Sequence, residues 1–180
     1  MATPPTFSSG AVLTAAQMNS VGCWLVKTQT VGSGVSSIVV SNCFSADYEN
    51  YKITYTGGNC SAGQNIRMRM GSTTTNYYSS LIYNTFASAT PTGVCQNNTQ
   101  PQWEWAGAGN TTSNLVDITL LSPFIAEQTR MISNWSPLDA AGYSSNTLLN
   151  TTSYTSFTLL PGLALTTFTG GTVRVYGYRN

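Results

Sequence analysis

A chain of 180 residues holds one domain with a real core and is short for two. Charged residues make up only 7% of it, against about a quarter in typical domains, yet a hydrophobic fraction of 41% is too high for a disordered polymer. A net charge of +1 offers no electrostatic footprint for DNA or RNA, and the absence of histidine removes the commonest general base and metal ligand.

In chain order, the first residues carry no basic stretch followed by a long apolar one. Nowhere do eighteen apolar residues run together, so neither a secretory signal nor a membrane helix is expected. Residues 6–26, TFSSGAVLTAAQMNSVGCWLV, hold the only clear helix signal. Thr14 and Gln17 form a capping box, and Leu13 and Met18 flank it as a hydrophobic staple. Asn19, Ser20 and Gly22 stop the helix early, and so short a helix is not stable alone in water. Its apolar residues Val12, Leu13, Met18 and Val21 therefore need a surface, either the chain's own body or another protein. Residues 1–26 read as an arm with a short helix, and residues 27–180 as the body.

Gly10, Val12, Leu13, Thr14, Ala15, Ala16, Met18 and Asn19 spell a G-x-V-L-T-A-A-x-M-N pattern. It resembles the opening segment shared by many tail-fibre and other appendage proteins of tailed bacteriophages. The closing stretch GGTVRVYGYRN, residues 170–180, also resembles the end of small phage structural proteins. The resemblance implies a protein of the virion, assembled in the host cytoplasm. It further implies an N-terminal attachment segment contacting other virion proteins (tail, adaptor or capsid) and a distal β-rich module, usually trimeric. On that basis Val12, Leu13, Met18 and Val21 are the expected particle-anchoring residues.

From Trp24 onward, short β-prone runs alternate with Gly, Pro and Asn turns. Residues 27–31 and 35–41, joined at Gly32-Ser33-Gly34, read as a hairpin. Residues 48–56 alternate with Tyr51, Ile53 and Tyr55 on one face and should stop at Gly57-Gly58. Ile66, Met68 and Met70 alternate with Arg67 and Arg69, which places the arginines in water or in a partner. Residues 77–86 form another run, and residues 88–102 read as a long polar loop. Trp103-Glu104-Trp105 predicts both indoles inside and Glu104 outside. Val116, Ile118 and Leu120 face one way in residues 115–121, and runs at 124–135, 146–149, 154–160 and 172–179 follow. About ten short strands with no crossover helix argue for an all-β fold, an antiparallel β-sandwich of jelly-roll-like form.

The search for chemistry finds little. Cys23, Cys43, Cys60 and Cys95 show no metal-ligand spacing and read as small core hydrophobes in a reducing cytoplasm, with a disulfide formed after particle release as the alternative, and no cofactor motif is present. Five Asn-x-Ser/Thr sequons, at Asn59, Asn97, Asn110, Asn134 and Asn150, are what chance gives in so Asn- and Thr-rich a chain. Glu104 between two indoles has the layout of a carboxylate beside sugar-stacking rings, but glycoside hydrolysis needs a placed second carboxylate. No hydrolase, phosphate-loop or zinc-protease motif appears, so the expectation is a protein that is not an enzyme. The aromatics with many Asn and Thr suit a host-surface glycan; Tyr77, Tyr78, Trp103, Trp105, Tyr176 and Tyr178 are the candidates for glycan or subunit contacts, alongside Tyr83 and Trp135. Two functions are carried forward: a receptor-binding fibre or appendage protein, and a capsid decoration protein bracing the shell between capsomers. With so few charges to blunt sheet edges, a closed homo-oligomer, a trimer, is expected, with Tyr176 and Tyr178 at the contact.

Overall fold

A computed structural model describes residues 22–178 together with Gly10 and Val12, and every regular element among them is a β-strand. The predicted N-terminal helix, with Leu13, Met18 and Val21, lies outside the described residues. Twelve strands form: β1 Cys23–Thr30, β2 Ile38–Val40, β3 Asn50–Cys60, β4 Gln64–Met70, β5 Tyr77–Thr85, β6 Thr92–Asn97, β7 Trp103–Gly109, β8 Asn114–Leu121, β9 Arg130–Trp135, β10 Ala140–Leu148, β11 Phe157–Pro161 and β12 Phe168–Tyr178. Residues 23–26, read as part of the arm, are already the first half of β1.

All pairings are antiparallel, and the hydrogen-bonded sheet folds on itself into two layers. The longer layer runs β1-β12-β3-β8-β9-β10-β5-β6 and the shorter β2-β11-β4-β7. They meet at β8, whose residues 114–116 pair with β7 and whose residues 117–121 pair with β9 on the same edge. The chain crosses repeatedly between layers, β1 in one, β2 in the other, β3 back in the first, which is the jelly-roll-like trait of an antiparallel sandwich. Period-two alternation supplies the two inner faces. Tyr51, Ile53 and Tyr55 with Val116, Ile118, Leu120, Val173 and Val175 line one; Ile66, Met68, Met70, Phe157 and Leu159 line the other, and all are buried. Full burial of each such side chain contributes about 1.5–3 kcal/mol.

Three local expectations fail, each for a stated reason. The Gly32-Ser33-Gly34 turn does not make a hairpin, because β1 pairs with β12 while β2 pairs with β11 in the other layer. β3 does not stop at Gly57-Gly58; it continues to Cys60 opposite β12. It can do so because Gly170 and Gly171 stand across from the pair, with φ of 68° and 83°, and a Cβ at position 171 would overlap the backbone of Gly58. The Tyr55 hydroxyl donates to the Gly170 carbonyl at 2.8 Å and fixes that crossing. Finally, residues 88–102 are not one loop, since β6 adds to β5 as an edge strand. Its six residues TGVCQN bury no side chain fully, so no alternation marks it.

Candidate functional site

The predicted contact residues separate sharply. Tyr77 and Trp103 are enclosed in the core, where their rings meet edge to face at 5.5 Å, and Trp105 is also buried. Tyr77 and Trp103, at 1% and 0% exposed, cannot touch a ligand arriving from solvent. Tyr78 is half-buried beside β6. Tyr176 is half-buried and Tyr178 exposed on the outer face of β12, while Val173, Val175 and Gly177 face inward. The ring of Tyr48 covers Gly177, where any Cβ would overlap it.

The W-E-W alternation breaks because of a bulge. From Met68 to Ile66, β4 advances two residues while its partner β7 advances four, from Trp103 to Gly107. Trp103 and Ala106 then both enter the core, and the carbonyl of Trp105 turns toward the longer layer. There the hydroxyls of Ser133 and Ser144 each lie 2.6 Å from it, and Asn146 Nδ2 donates to Ser144 Oγ at 2.6 Å. Glu104, expected outside, is only 6% exposed. Arg67 Nη2 donates to its Oε1 at 2.7 Å. Arg67 and Arg69 therefore serve their own chain: Arg69 donates to the Pro101 carbonyl at 3.1 Å and to Gln102 Oε1 at 2.8 Å.

Above the bulge lies a cleft of about 710 Å³, between the ends of β4 and β7 and the loop joining β9 to β10. Its polar lining is Gln64, Asn65, Arg67, Glu104, Asn110 and Asp139, and its apolar lining includes Trp135, Leu138 and Leu163. Trp135, on the last position of β9, is locked from two sides. Its indole N–H donates to Asn65 Oδ1 at 2.9 Å, and its ring meets Tyr83 at 5.2 Å and 67°. Gln64 Oε1 accepts from the Leu163 amide at 3.1 Å and lies 2.6 Å from Thr166 Oγ1. Since a backbone N–H can only donate, the Gln64 amide orientation is fixed and Nε2 is left over. Gln64 Nε2, Arg67 Nε and Glu104 Oε2 are all buried without a hydrogen-bond partner. Each such orphan costs about 1–3 kcal/mol until something satisfies it. A second hollow of about 390 Å³, lined by Tyr83, Asn84, Asn134, Ser136 and Tyr143, shares Trp135 with the first.

The cleft combines one aromatic side chain with hydrogen-bonding and charged groups. Within it Glu104 is paired with the Arg67 guanidinium. Among the described residues, no three of His, Cys, Asp and Glu gather where they could hold a metal ion. Trp135 and Tyr83 were legible as candidate glycan contacts but their grouping was not: Asn65 and Tyr83 reach Trp135 from β4 and β5, and no spacing in the sequence brings them together. Comparison with protein-family models, with curated proteins and with solved structures finds no match for the chain.

Proposed function

We propose that the chain is a non-enzymatic structural protein of a bacteriophage particle, a small receptor-binding fibre or appendage protein. Its N-terminal segment attaches it to the virion, and the β-sandwich is displayed outward with a host-surface glycan as its ligand. The observation that carries this reading is the G-x-V-L-T-A-A-x-M-N segment standing immediately before an all-β body. Val12 within that segment is 90% exposed, so the body does not cover this apolar side chain, as an anchor for another protein requires. The Trp135 cleft supports the receptor-binding half of the reading, because it offers an aromatic platform among uncompensated polar atoms.

Removal of residues 1–22 tests the attachment. The remaining chain still contains β1 and every pairing of the sandwich, so it should fold, with an unchanged circular dichroism spectrum, yet fail to enter particles. Incorporation at the level of the full chain would contradict the proposal.

A further inference from the structure

We infer that the cleft and the hollow on the two sides of Trp135 form one binding groove for an uncharged oligosaccharide of at least two rings. This deepens the receptor-binding reading above and rests on it.

The ligand class follows from what the groove lacks and what it holds. A phosphate, sulfate or carboxylate is disfavoured, since the cationic group, Arg67, is already paired with Glu104 and Asp139 adds a further negative charge to the wall. A peptide adding as a strand is disfavoured too. Among the described residues β4 is already paired with β11 and β7, and β9 with β8 and β10, so neither strand offers a free edge to the groove. What remains unsatisfied is a mixture of donors and an acceptor: Gln64 Nε2 and Arg67 Nε on one side, Glu104 Oε2 on the other. Gln64 and Glu104 are 9% and 6% exposed, so their orphan atoms are not simply solvated surface. Asn65 has its oxygen taken by the indole N–H, which leaves its Nδ2 to donate. A sugar hydroxyl both donates and accepts, and so answers either kind of group. The C–H face of a sugar ring also matches an indole, which is apolar over its faces and polar only at its N–H.

The length follows from Trp135 itself. Trp135 lines both hollows, of about 710 and 390 Å³, each within the range of small-ligand sites, about 300–1,000 Å³. Asn65 and Tyr83 hold it rigidly between them, so little side-chain freedom is lost when a chain of rings is laid across it. One ring beside Gln64, Asn65 and Glu104 and the next beside Asn84, Asn134 and Tyr143 would occupy both hollows at once.

The test uses the full chain free in solution and an array of bacterial and plant oligosaccharides, one to six units long. The array contains uncharged series together with uronate-, sialate- and sulfate-bearing ones, and hits are followed by titration of tryptophan fluorescence. The expected result is binding of an uncharged series with at least ten-fold preference for two or more units over one. That binding should fall at least ten-fold in Trp135→Ala and in Asn65→Ala and stay within two-fold in Val39→Ala, an exposed position that lines neither hollow. Should Trp135→Ala fail to fold, Asn65→Ala, at a half-buried position, carries the comparison alone. Binding confined to acidic glycans, equal affinity for monosaccharides, indifference to the substitutions that fold, or no binding anywhere on the array would each overturn the assignment. Because particle incorporation is not read in this assay, such a failure leaves the attachment reading to the truncation experiment.

Discussion

Cys43 is fully enclosed, with its thiol 3.4 Å from the Val40 carbonyl and 3.6 Å from that of Thr155. Burial pushes its pKa from the ordinary 9.0 up to about 12, and burial likewise pushes Tyr55 from 10.0 up to about 12. The sign of the linkage is then fixed. Well below pH 9 both groups are protonated in folded and unfolded chains alike. Between pH 9 and 12 the unfolded chain releases protons that the folded chain retains, so stability falls as pH rises. The midpoint of urea unfolding should therefore drop between pH 9 and 11, and drop less in Cys43→Ala. That variant should itself lose roughly 1–2 kcal/mol at neutral pH by cavity and transfer terms. A midpoint that is flat with pH, or a slope equal in both proteins, would contradict this account. All four cysteines are free, Cys43 and Cys60 inside and Cys23 and Cys95 exposed on the two edge strands of the longer layer, so the fold needs no disulfide.

At the scale of elements, legibility tracks burial geometry. β3, β4, β8 and β12 each bury one face and leave the other half-buried, and their alternation, Tyr51-Ile53-Tyr55 or Ile66-Met68-Met70, could be read directly. β6 buries neither face fully and carries no such signal. β7 fails in the opposite sense: all its residues are buried, and the bulge against β4 shifts Glu104 from the expected outer position to an enclosed one. The missed hairpin at Gly32-Ser33-Gly34 reflects a different limit. A glycine turn says that the chain bends, but whether the flanking strands pair is decided by partners far away in sequence, here β11 and β12. The candidate groove was illegible for the same reason, since Asn65, Tyr83, Glu104 and Trp135 lie on four strands whose neighbours no local pattern specifies.

For the whole molecule, the sandwich leaves β1 and β6, among the described residues, as open edges of the longer layer. β1 carries a single charge, Lys27, where an isolated protein would usually place several. On its outer face Leu25 pairs with Tyr176 and Cys23 with Tyr178, so exposed apolar surface continues from the open edge onto β12. We propose that this face forms the contact of a closed trimer, which covers the edge without propagating into filaments. Static light scattering of the isolated chain should return three times the 19.2 kDa monomer mass, and a monomer at micromolar concentration would refute the assembly.

The central claim, that this is a low-copy receptor-binding appendage of a virion, is tested most directly by counting it. Quantitative mass spectrometry of purified particles, scaled to the major capsid protein, should find a few dozen copies or fewer in each. Several hundred copies would point instead to a decoration protein bracing the shell between capsomers, and absence from the particle would contradict the account altogether.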